Sequence, residues 1–124
     1  MSDQHKAAAL QFLNLVITGQ IDQAYQKYVD MQGKHHNNFF PAGFSALQKA
    51  MKENHTQFPN KQLRIINTIS DGDLVAVHSH LLLRPGEAGM IVVHLFRFQH
   101  HKIVEIWDCG QVLPADSPNR DGAF

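Results

Sequence analysis

The chain has almost no cysteine, no surplus of charge of either sign and no long apolar run, and each shortage closes off a class of protein. Cys109 is the single cysteine among 124 residues, so no internal disulfide can form and a reducing compartment is expected. Lysine plus arginine and aspartate plus glutamate number 11 each, which gives a formal net charge of zero. That balance offers no electrostatic footing for a nucleic acid or an anionic membrane surface, so neither is expected as a partner. No stretch approaches the roughly 20 apolar residues of a membrane span, and the first residues, Met1 to Lys6, show no secretory core. These shortages together point to a cytoplasmic protein.

What is present is an ordinary globular composition, 44% hydrophobic and 18% charged, of a length that fits one domain over residues 1–124. Histidine is the exception. Nine occur, at 5, 35, 36, 55, 78, 80, 94, 100 and 101, and they are scattered rather than gathered in a terminal tag.

Apolar residues at helical spacing (Leu10, Phe12, Leu13, Val16, Ile17) predict a first helix from about Asp3 to Thr18, ended by Gly19. Ile21, Ala24, Tyr25 and Tyr28 continue the period in a second, shorter helix. Met31 to Gly43 has no period and reads as a loop with at most an extended piece. A third helix is predicted from about Phe44 to His55. The period then falls to two: a strand through Leu63–Ile69, a turn at Ser70–Asp73, a strand over Leu74–Leu83, and a break at Arg84–Gly89. Helices first and strands afterwards predict an α+β domain, with three helices packed on one face of a curved antiparallel sheet of about four strands.

The last third carries the chemistry. Met90–Phe98 and Lys102–Asp108 flank a polar turn and read as an antiparallel hairpin. Alternation puts Val92, His94, Phe96 and Phe98 on one face of the first strand, and Val104, Ile106 and Asp108 on one face of the second. Glu105 and Trp107 then point the other way, to packing and surface. A carboxylate ending an apolar row is costly to bury, and such costs are concentrated where they serve chemistry. His94 and Asp108 share a face only if an odd number of residues separates the strands, because a one-residue slip flips every side chain. A three-residue turn over Gln99–His101 would achieve this. His78 and His80, two apart, share a face of the preceding strand, and with His94 and Asp108 their spacing permits a metal set without being diagnostic. Cys109 has no evident partner base and is not expected to be a nucleophile.

The element order, with Phe58-Pro59, Gly72-Asp73-Leu74-Val75-Ala76-Val77, Phe96-Arg97, Lys102-Ile103-Val104-Glu105 and Trp107-Asp108, resembles the SnoaL-like polyketide cyclase family of the nuclear transport factor 2-like superfamily. It is most similar to the branch of predicted aldol-condensation enzymes. The resemblance implies a cone-shaped domain that works without metal or cofactor on a small apolar carbonyl substrate. It implies Asp108 as acid/base, His94 as the second polar catalytic residue, and His36-Asn37 as the loop's contribution to substrate binding. His78, His80 and Phe96 join the expected substrate-binding set. The threonine-histidine-glycine segment of the antibiotic cyclases is missing, with Leu82-Leu83-Arg84-Pro85-Gly86 in its place, which sets a polyketide substrate apart from the fold. The superfamily likeness also implies a homodimer through the outer sheet face, expected to carry Val75, Val77, Leu81, Leu83, Ile91, Val93 and Leu95.

Overall fold

A computed structural model describes residues 2–124. The elements run α1 (Ser2–Ile17), α2 (Ile21–Tyr28), β1 (Val29–His35), α3 (Phe44–Gln57), β2 (Gln62–Asp71), β3 (Leu74–Leu82), β4 (Met90–Gln99) and β5 (Lys102–Val112). The first two helices part where expected. Gly19 takes a left-handed φ of 86°, and the Gln20 N–H caps the Leu15 carbonyl at 2.8 Å.

The five strands form one sheet in the order β1-β5-β4-β3-β2. All neighbours are antiparallel except β1, which lies parallel to β5. This strand falls within and just before the segment read as a loop, and the reason is local. Val29 pairs with Ile103 but Lys34 already pairs with Glu105, so β1 spends five residues where β5 spends two. Such a bulge erases the alternation that would reveal a strand. Gly33 makes it possible, since a Cβ there would sit 2.2 Å from the Val104 carbonyl oxygen and 2.7 Å from the Phe44 ring.

Helices α1, α2 and α3 cover one face of the sheet. Phe12, Tyr25, Phe44 and Phe96 meet edge to face at centroid separations of 5.5 to 6.2 Å, and Ala9, Leu13, Val75, Val77 and Ile103 fill the space around them. The opposite face of the sheet differs from expectation. Val77 pairs with His94, so odd-numbered residues of β3 lie beside even-numbered residues of β4. Val75 and Val77 are therefore fully buried under the helices, and Leu81 lines a cavity on the same side. Ile91, Val93 and Leu95 do lie on the outer face, where they join Ile69, Ala76 and Trp107. Leu83 falls in the bend beyond β3.

Candidate active site

The hairpin of β4 and β5 decides which side chains meet. Its turn holds two residues, His100 and His101, both left-handed with φ of 53° and 65°. Two left-handed positions suit the tight hairpin turn whose twist matches the strands, though non-glycine residues pay for the conformation. A two-residue turn alone would set His94 opposite Trp107. Instead Phe98 pairs with Ile103 while Arg97 pairs with Glu105, which leaves Val104 as an extra residue in β5. The bulge restores the odd count by a different route from the three-residue turn expected. His94 and Asp108 end directly opposite each other, and Val77, His94 and Asp108 form one cross-strand row on the inner face. Side chains so paired have Cβ atoms about 5 Å apart.

That row ends in a cavity of about 540 Å³. Its walls are mostly apolar, from Leu47 and Met51 on α3 and from Leu81, Met90 and Val92 on the sheet. Asp108, His94, Asn37, Asn38 and Asn54 supply polar side chains to the lining, His36 borders it where the loop leaves β1, and Phe39 and Phe40 stand at the loop side. Phe39 is 90% exposed, so an aromatic ring is held in water beside the opening.

Asp108 is half-buried, and its Oδ2 accepts a hydrogen bond from Asn37 Nδ2 at 3.2 Å. The loop that delivers Asn37 is tied down at several points. His36 N–H donates to the Ile106 carbonyl at 2.9 Å, Asn37 N–H donates to His35 Nδ1 at 3.1 Å, and His35 Nε2 donates to the Pro41 carbonyl at 2.8 Å. His94 lies flat against Phe96, with centroids 5.8 Å apart and planes 10° from parallel. Its Nδ1 is buried with no partner among the described residues. Burial pushes the His94 imidazole below its usual value, an effect that Asp108 opposes in part. The ring is therefore neutral at pH 7, able to donate from one nitrogen. Tyr25 belongs to the same neighbourhood. Its hydroxyl donates to Met51 Sδ at 3.1 Å, and burial together with the charge of Asp108 pushes the phenol above its usual value.

Four of the seven residues expected from sequence thus line one cavity: Asp108, His94, His36 and Asn37. Three do not. His78 and His80 lie on the outer face because Val77, not His78, is in register with His94. There His78 Nδ1 accepts from Asn67 at 3.1 Å, His80 Nε2 donates to the Ala88 carbonyl at 2.8 Å, and the Phe124 ring packs on both. The sheet separates these two from His94, so the metal set permitted by spacing does not converge. Phe96 is completely buried in the core beneath His94 rather than in the cavity wall. Glu105 was expected at the surface but is only 8% exposed. Its Oε2 accepts from His36 Nε2 at 2.5 Å and its Oε1 from Arg97 Nε at 2.9 Å. The three-residue turn expected from sequence would set Leu95 across from Glu105; the bulge at Val104 brings Arg97 opposite it instead.

No family model matches the chain, and comparison with curated proteins finds no significant match. Solved structures share the fold. A SnoaL-like protein of unknown function from Burkholderia thailandensis superposes with a TM-score of 0.74 at 13% identity, over 90% of this chain and 98% of that one. A candidate polyketide cyclase from Acidithiobacillus ferrooxidans gives 0.70 at 20% identity, over 89% of each chain. A candidate ketosteroid isomerase from Kribbella flavida gives 0.73 at 15% identity, over 97% of this chain and 87% of that one. The chain has the cone fold of the SnoaL-like, nuclear transport factor 2-like proteins. At these identities the likeness carries the fold, and the chemistry has to be argued from the site.

Proposed function

We propose that the chain is a cofactor-free cyclase or isomerase of the SnoaL-like type, acting on a small apolar carbonyl compound. Asp108 takes a proton from the carbon next to the carbonyl, and the electron pair of that C–H bond moves to form an enolate. His94, neutral through burial, donates a hydrogen bond to the enolate oxygen as its charge develops. Asn37 occupies Asp108 Oδ2 and leaves Oδ1 for the proton. Returning the proton to another carbon completes an isomerisation. Attack of the enolate carbon on a second carbonyl of the same molecule, whose oxygen then takes the proton, completes an aldol ring closure. Neither route needs a metal or a redox cofactor. The observation that carries this reading is the direct pairing of His94 with Asp108 at the end of an apolar cavity of about 540 Å³.

A second reading, a non-catalytic cone that holds a small apolar ligand, has its own support. Asp108 takes its hydrogen bond from Asn37 rather than from His94, and it is half-exposed. Incubation with a panel of neutral cyclic ketones in D2O, followed by proton NMR, separates the two. Saturable loss of α-proton signal in proportion to protein supports catalysis. Saturable shifts of the ketone signals with no exchange support the binding cone. The reading extends to a homodimer through the outer face, where Ile69, Ala76, Leu95 and Trp107 form a continuous cross-strand row. Ile69 at its end is 65% exposed.

A further inference from the structure

The loop after β1 grips β5 from both faces with two consecutive residues. His36 lies on the outer face, its ring flat on Trp107 with centroids 5.1 Å apart and planes 13° from parallel. Asn37 crosses to the inner face and reaches Asp108. What holds His36 is Glu105, a buried carboxylate that the proposed chemistry does not use. We infer that Glu105 is a positioning residue for Asp108: by anchoring His36 on the outer face of β5 it fixes Asn37 against the carboxylate on the inner face. The inference rests on the reading of Asp108 as the base, but its geometry can be tested in the protein with no ligand.

The geometry favours transmission because the connection is short and stiff. Glu105 and Asp108 are three residues apart on one strand, and His36 and Asn37 are adjacent in the chain. The His36 N–H is fixed to the Ile106 carbonyl between them. The titratable and charged groups that face Glu105 are His36 from the loop, Arg97 from β4 and Lys34 from β1. The hydrogen bond from His36 holds the Glu105 carboxyl below its usual value, against the opposing effect of burial and with help from Arg97 and Lys34. Protonation of Glu105 on acidification would therefore remove the acceptor that His36 needs.

The test uses isotope-labelled protein without ligand and reads the side-chain amide of Asn37 by NMR. In Glu105→Gln, the Asn37 Nδ2 protons are expected to exchange with solvent about tenfold faster, the equivalent of losing one ordinary hydrogen bond. Backbone amides of the β4–β5 ladder should keep their protection. His36→Asn should reproduce the effect, and the double variant should add nothing, because both changes break the same link. Additive effects, or loss of ladder protection in parallel with Asn37, would assign Glu105 a general structural role and overturn the inference. If Glu105→Gln does not fold, acid titration of the wild type decides. The Glu105 carboxyl carbon and the Asn37 side-chain amide must then shift over the same pH range, and an Asn37 signal that ignores that titration overturns the proposal. None of these readings requires turnover, so failure of the catalytic reading and failure of this one remain distinguishable.

Discussion

At the scale of single residues, His94 is the group whose behaviour depends most on where the fold puts it. An imidazole beside a carboxylate in water would gain a proton, but here burial dominates and depresses the folded-state value. The unfolded chain therefore binds a proton that the folded chain refuses. Stability should fall as the pH drops below about 6.5, the ordinary histidine value. Glu105 acts in a lower window. Its folded value is depressed, so its contribution is complete above the ordinary carboxylate value of 4.5 and is lost as the pH falls through the folded value. Urea denaturation at a series of pH values should show both declines. Replacing His94 by Gln should flatten the upper one and leave the lower one, whereas an unchanged upper decline in that variant would contradict the burial argument. Little of this was legible in the sequence. A histidine in an apolar row announces itself, but whether Glu105 points to solvent or into an ion pair depends on a loop 69 residues away in the chain.

At the scale of elements, the hairpin and β1 show what periodicity can and cannot tell. The two strands of the hairpin were legible because alternation survives along most of their length. Their relative register was legible only as a parity, since a three-residue turn and a two-residue turn with a bulge give the same faces. The chain uses the second, with the extra residue at Val104. β1 was illegible because its bulge removes alternation altogether, and because the partner that defines it, β5, lies some 70 residues downstream. The outer face was misread for a related reason: odd-numbered residues of β3 and β4 lie on opposite faces once the register sum is odd. The β1 account makes a specific prediction. Gly33→Ala places a methyl group against the Val104 carbonyl and the Phe44 ring, a contact that only movement of the backbone can relieve. A loss of about 2 kcal/mol or more is expected, read as a fall in Tm of roughly 5 °C or more. A variant as stable as the wild type would show that β1 does not pack as closely as described.

At the scale of the whole molecule, the fold divides labour between the two faces of one sheet. The inner face carries the core at one end and the cavity at the other, and the outer face presents the row of Ile69, Ala76, Leu95 and Trp107. That row underlies the proposed homodimer. Sedimentation equilibrium at micromolar concentration should give twice the chain mass, and Leu95→Lys, in the middle of the row, should shift the population to monomer. A wild type that sediments as a monomer would contradict the dimer without touching the site. Among the described residues no helix is long and apolar enough to cross a membrane.

The central claim is that Asp108 is the base of the cavity, with Asn37 bonded to it and His94 paired across from it, and one variant addresses it most directly. Asp108→Asn keeps the size of the side chain but removes the proton acceptor, so the rate of α-proton exchange in any ketone the wild type processes should fall by roughly 10²-fold or more. The dissociation constant for that ketone, measured from its NMR shifts, should change little, because the interaction lost is made in the transition state. Exchange at the wild-type rate in Asp108→Asn would contradict the account.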